Sequence, residues 1–230
     1  MTDAYVPESR FGLWFLKSEI WVEHVLARAV ADLDRLIPDR RPSYPVIVDV
    51  GCGWGRSFAL LHDRFRPERM VGIDIDADLL EAAAAEASRC RLSVAFARTS
   101  SACLGLPDQS ADMVFCHQTF HHLVDQEAAL REFYRVLKPG GLLLFAESTR
   151  KYIHSWAIRL LFRHPMEVQR SAEEYIAMIA EAGFAVAPAS ISYPYLWWSR
   201  SDLGILERCF GRTPPVGREE TLVNLVAVRP

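Results

Sequence analysis

With 230 residues, half of them hydrophobic, the chain has enough apolar material to bury the core of one domain, and it is read as a single domain over residues 1–230. Its 26 lysines and arginines stand against 29 acids, a formal net charge of -3 with the signs mixed along the chain. That balance excludes the basic footprint of a nucleic-acid binder, and the lack of an uninterrupted apolar run of about 18 residues excludes a transmembrane helix.

The first predicted element lies within residues 1–40. Phe11, Trp14, Phe15, Ile20, Trp21, Val25, Leu26 and Val30 recur largely at helical spacing, so a helical cap is expected there. A β-branched run, Val46 to Val50, then ends in glycines at alternate positions, Gly51, Gly53 and Gly55, and a helical pattern follows over 55–65. Such a strand, tight turn and helix lets a ligand lie against bare backbone and offers it the free N–H groups of the helix start. A second strand, 70–74, ends in Asp74, with Asp76 just beyond. Asp74 lies 19 residues after Gly55, about the spacing at which a carboxylate ending the second strand accepts from two ribose hydroxyls. The competing reading makes Asp74 and Asp76 caps of the helix starting near Asp78.

Beyond this point the pattern predicts a helix at 77–88, strands at 92–97 and 112–117, a helix at 125–137 and a strand at 142–147. Lys138-Pro139-Gly140-Gly141 stops that last helix, and Leu142 to Ala146 is an unbroken apolar run, as in a strand covered on both faces. The βαβ alternation implies an α/β fold with a parallel, doubly wound sheet. Ser171 with Glu174 opens a helix that runs to Ala182, and strands are expected at 184–192 and 222–228. Five scattered cysteines without a C-x-x-C pair point to reduced thiols, Cys52 among them as a structural one. No basic region followed by an apolar run marks a signal peptide, so a cytoplasmic location is expected.

Asp49-Val50-Gly51-Cys52-Gly53-Trp54-Gly55 and Gly72-Ile73-Asp74 resemble the first two motifs of class I S-adenosylmethionine-dependent methyltransferases. Leu106 to Val114 resembles the family's approach to strand four, and Arg131 to Gly141 its helix and turn into strand five. The four matches fall in family order across 46–147 and are of the type seen in small-molecule methyltransferases, those of quinone biosynthesis included. The resemblance implies a Rossmann-like sheet of seven strands in the order 3-2-1-4-5-7-6, the last two an antiparallel hairpin at one edge, with helices on both faces. It implies S-adenosyl-L-methionine as cofactor and S-adenosyl-L-homocysteine as product. It also divides the chain into a cofactor-binding core at 45–147 and substrate-side segments at 1–40, 148–170 and 194–215, which together form a helical, aromatic lid. The second of them contains Tyr152, Trp156, Leu160 and Phe162, and a smaller aromatic stretch runs from Tyr193 to Trp198. Ordinary core packing accounts for such aromatics equally well. Arg150, Lys151, Arg159, Arg163 and His164 among them suit an anionic substrate, a membrane surface or a solvated helix face.

Carried over by resemblance, Asp49 and the Gly51–Gly55 backbone hold the methionine end of the cofactor, Asp74 its ribose, and Ile75 packs on the adenine. Ser100, beside Ser101, stands where the family usually has an adenine-edge aspartate, and it accepts there without charge assistance. His121-His122 resembles a pair that usually shapes the family's loop after strand four. His117, at the end of that strand, is a wall of the cofactor pocket or a general base. Glu147, at the end of strand five, is expected to face the same region and orient the acceptor, or else to pair with Arg150 or Lys151. Histidines 117, 121 and 122 lack H-x-x-x-H spacing, and no acid or cysteine completes a set, so no metal is expected. The implied activity is methyl transfer to oxygen, nitrogen or carbon of a small lipophilic or aromatic acceptor. The alternative is a cofactor-binding but inactive scaffold of another enzyme, with Ser100 as its support. Peripheral membrane contact and oligomeric state stay open.

Overall fold

The computed structural model describes residues 8–194, 209, 211 and 221–230. Ser9 opens α1 (Arg10–Lys17) by accepting from Gly12 N at 2.9 Å, and Ser18 opens α2 (Glu19–Trp21) by accepting from Trp21 N at 3.3 Å. A π-helical turn (Val22–Leu26) carries α2 into α3 (Ala27–Leu36), so the helical spacing read in this segment corresponds to helices.

The sheet is built from β1 (Val46–Val50), β2 (Arg69–Asp74), β3 (Val94–Arg98), β4 (Ala111–His117), β5 (Leu137–Ser148), β6 (Ile191–Ser192) and β7 (Leu222–Val228). Their order is β3-β2-β1-β4-β5-β7-β6, parallel except for β7, which runs antiparallel to both neighbours. This is the order the resemblance implies. The strand period of two divides the core into two layers. Ile47, Met113 and Leu144 pack with α3, α4 (Phe58–Phe65) and α5 (Ala77–Arg89) on one face. Val48, Val114 and Leu143 pack with α6 (Gln126–Val136) and α9 (Ala172–Glu181) on the other. All seven residues of β4 are buried, which is why that strand reads as a nearly continuous apolar run.

Two elements depart from the sequence reading. Lys138-Pro139-Gly140-Gly141 ends α6 but is itself extended, so β5 starts at Leu137 rather than 142. Lys138 Nζ reaches the buried Asp112 carboxylate at 2.8 and 2.9 Å, and Gly140 N donates to Arg229 O at 2.7 Å, which gives this turn its partners. The strand expected at 184–192 shrinks to a bridge from Ala185 to Val228 and the two residues of β6. Pro188 opens a 3-10 turn between them; it has no N–H to give a ladder.

The insert after β5 holds α7 (Arg150–Ile153) and α8 (Trp156–Leu161). It meets α1 directly: Ser9 Oγ donates to Leu161 O, and Phe11 and Phe15 pack edge-on to Phe162 with centroids 5.7 and 6.0 Å away. Tyr195 to Trp198, and most of the expected insert at 194–215, lie outside the described residues.

Candidate functional site

The C-terminal ends of β1, β2 and β4 open into a cavity of about 540 Å³, at the point where the sheet order reverses between β1 and β4. The loop after β1 is pinned by two bonds, Gly51 N and Cys52 N donating to Ile73 O at 2.8 and 3.0 Å. Gly51 has φ +72°, and a Cβ there would lie 2.2 Å from Thr119 Cγ2. Gly53 also has positive φ, but a Cβ added to it would meet nothing within 4 Å, because its neighbour is the cavity itself. Gly55 does not line the cavity; a Cβ there would meet Phe58 Cε2 at 2.5 Å, so its smallness lets α4 pack against the loop.

Asp74 closes the other side of this loop. Its Oδ2 accepts from Gly53 N at 2.9 Å and its Oδ1 from Asp76 N at 3.0 Å, which leaves each oxygen a further lone pair. Asp76, not Asp74, caps α5, accepting from Asp78 N and Leu79 N at 2.8 and 3.2 Å. Burial raises the Asp74 pKa, and the backbone donors only partly offset it. Asp49, buried at the end of β1, accepts from Ser57 Oγ. Burial pushes its pKa up to about 7; the Ser57 bond opposes the shift and the neighbouring Asp74 charge adds to it. Ile75, Ser100 and Ser101 line the same cavity, and Ser100 Oγ accepts from Ala102 N at 3.2 Å.

His117 ends β4 on the cavity wall, its ring between Trp21 (5.5 Å) and Phe115 (5.9 Å, nearly parallel). Its Nε2 is buried without a hydrogen-bond partner. Burial, with a smaller contribution from His121, lowers its pKa to about 3, so the ring is neutral. Glu147 corrects its expected place. It is fully buried and does not line the cavity. Its Oε1 accepts from Thr119 N and Phe120 N at 2.8 and 2.6 Å, and its Oε2 meets His121 Nδ1 at 2.6 Å. Both oxygens are thus committed to the loop after β4, and Arg150 pairs with Glu174 at 2.5 Å instead.

Several cavity residues carry no motif. Leu13, Leu16, Trp21 and Leu26 reach it from the N-terminal helices, and Gln118 and Thr119 from the loop after β4. Trp21 stood out only as one apolar residue at helical spacing, a signal that does not say which partner the helix meets.

The residues present fit S-adenosylmethionine. The space over Gly53 admits a ligand against backbone, Asp74 offers lone pairs to a diol, Asp49 offers an anion to a cationic group, and His117 Nε2 is a buried polar atom awaiting a partner. A family model for a methyltransferase domain matches residues 48–145. The chain is 32% identical over 112 residues to phosphoethanolamine N-methyltransferase 3 of Arabidopsis thaliana, covering 49% of this chain and 22% of that protein. It is 35% identical over 112 residues to malonyl-(acyl-carrier protein) O-methyltransferase 1 of Coxiella burnetii, covering 47% of this chain and 36% of that one. The shared part is thus well under half of these relatives' length. A SAM-dependent methyltransferase from Aquifex aeolicus shares the fold, with TM-score 0.66 at 19% identity over 95% of this chain and 97% of that one. Residues 48–145 thus match a methyltransferase domain, within a fold shared with a SAM-dependent methyltransferase.

Proposed function

We propose that this protein transfers a methyl group from S-adenosylmethionine to a small lipophilic or aromatic acceptor. The observation that carries the proposal is the cavity's two-sided lining: a polar floor at Asp49, Gly53 and Asp74 faces an apolar roof of Leu13, Leu16, Trp21 and Leu26. The cofactor, when bound, supplies a methyl group on a sulfonium, open to in-line displacement. Asp74, held by the Gly53 and Asp76 amides, accepts from the ribose hydroxyls. Asp49, once ionised, balances the cationic amino-acid end. Ile75, Ser100 and Ser101 line the same cavity, where Ile75 would pack on the adenine with the two serines at its edge. His117, neutral and with no protein partner at Nε2, is a wall of the site; with a pKa near 3 it has little driving force as a base. The acceptor therefore brings its own nucleophile, and the roof excludes water from the transfer. One relative is an N-methyltransferase and the other an O-methyltransferase, so the accepting atom does not carry over. Ser100 keeps a polar side chain at the cavity wall, which weakens the inactive-scaffold reading. The free cysteines among the described residues support a reducing compartment, the cytoplasm.

Calorimetry with S-adenosylmethionine and S-adenosylhomocysteine tests this reading. Micromolar binding by the intact chain, lost in Asp74→Ala, supports it and opens a screen of acceptors by methyl mass shift. No binding by well-folded protein overturns it.

A second reading concerns where the acceptor comes from. Trp14, Trp156 and Leu160 are 62%, 65% and 75% exposed on the joined helices α1 and α8, and Arg159 and Arg163 are exposed beside them. Such a face suits a lipid surface that presents a lipophilic acceptor. Flotation with anionic liposomes, lost in Trp156→Glu, supports it; no flotation of the intact protein removes it.

A further inference from the structure

His121 and His122 sit on the 3-10 turn Phe120–His122, and His164 arrives from the stretch after α8. One ring nitrogen of each lies within 4.8 Å of those of the other two. The centroids are 4.2 Å apart for His121 and His122, 5.1 Å for His121 and His164, and 4.9 Å for His122 and His164. The sequence grouped His117 with the adjacent pair, but His117 turns to Trp21 and Phe115, and the third imidazole lies 42 residues beyond His122. We propose that His121, His122 and His164 form a binding site for one divalent transition-metal ion of the zinc class.

Three observations support the site independently of the methyltransferase reading. First, His121 Nδ1 is held by Glu147 Oε2 at 2.6 Å, which leaves Nε2 as its coordinating atom. A carboxylate behind a ligating imidazole is the arrangement that fixes ring orientation and raises ligand basicity in metal sites. Glu147 is itself fixed by the Thr119 and Phe120 amides, so the support is rigid. Second, His122 Nδ1 is buried with no hydrogen-bond partner, a vacancy that coordination would fill. Third, a pocket of about 70 Å³ touches all three rings, together with Tyr152 and Ser148. It leaves room for a water or an oxygen ligand in a fourth position.

The spacing is close to what a metal needs. Tetrahedral coordination with metal–nitrogen bonds near 2.0–2.1 Å sets ligands about 3.3 Å apart, so nitrogens that now lie within 4.8 Å of one another need to close by at most about 1.5 Å. An all-imidazole donor set selects zinc, cobalt, nickel or copper and disfavours magnesium and calcium, which take oxygen ligands. Since His122 also lines the large cavity, the ion would lie where the two spaces meet.

The test uses the whole chain, treated with chelator, desalted, and titrated near neutral pH with zinc chloride by calorimetry and with cobalt chloride by visible absorption. The expected result is one ion per chain, with the intense cobalt bands of a low-coordinate site and no response to magnesium. His164→Asn should weaken zinc binding by at least roughly tenfold to a hundredfold, and His122→Asn should do the same if the first variant folds poorly. His62→Asn, on the exposed face of α4, should leave binding unchanged. Folding of each variant is checked by circular dichroism. Absence of stoichiometric zinc and cobalt binding, or binding that folded His164→Asn and His122→Asn retain in full, overturns the proposal.

Discussion

An added Cβ would collide with the Thr119 side chain at Gly51 and would reach empty space at Gly53, although both residues have positive φ. The two alanine substitutions should therefore fail differently. Gly51→Ala combines a left-handed backbone with a clash and should lower the urea midpoint, a loss of about 2–4 kcal/mol. Gly53→Ala carries the backbone penalty alone, about 1–2 kcal/mol, and places a methyl group where the cofactor would lie. Calorimetry should show its loss of S-adenosylhomocysteine affinity exceeding what its stability change explains. Asp49 gives a pH signature. With its pKa at about 7, against 3.8 for an ordinary aspartate, the folded chain holds a proton between those values that the unfolded chain has released. Its contribution to stability therefore falls as pH rises from 3.8 to about 7 and is level above that. Asp49→Asn should be increasingly more stable than the parent as pH rises across this window, as read by thermal melts. A cationic ligand favours the ionised carboxylate, so cofactor affinity should rise through pH 7, and Asp49→Asn should flatten that rise.

At the scale of elements, the roof over the cavity depends on small polar junctions. Ser9 both caps α1 and donates to Leu161 O at the end of α8. Ser9→Ala should cost about 1 kcal/mol. Hydrogen exchange should quicken in α1 and α8 together, whereas a lost cap alone would affect α1 only. Glu147 does the corresponding work for the loop after β4, where its carboxylate satisfies two backbone amides and orients His121. Glu147→Ala strands those buried donors and should cost on the order of 3 kcal/mol in denaturant unfolding, while Glu147→Gln, which keeps an acceptor, should cost less. The position of Glu147 at the end of β5 was legible from the apolar run before it. Its direction was not, because the committed partners, Thr119, Phe120 and His121, lie 26 to 28 residues earlier in the chain.

For the whole molecule, a ligand that binds only the folded chain must raise its stability. S-adenosylhomocysteine at about 100 times its dissociation constant contributes about 2.7 kcal/mol. For a chain of this size that should raise the melting temperature by about 5–10 °C. Asp74→Ala should show no such shift. A shift that survives in this variant would mean that Asp74 does not hold the ribose.

The sequence by itself determined the strand–glycine loop–helix unit, the acid at the end of β2 and the alternation that makes the sheet parallel. Each is a local pattern: backbone freedom at Gly51 and Gly53, a carboxylate at a strand end, and apolar runs whose period matches their covering. The tertiary structure decided the rest. A plausible strand shrank to a bridge at Ala185 and the two residues of β6, with Pro188, which has no N–H to give a ladder, between them. Packing of α1, which supplies part of the roof, against α8 joined segments about 150 residues apart. It took Glu147 out of the site and brought His164 to His121 and His122, since contacts between distant segments follow from burial and shape, to which local spacing is blind.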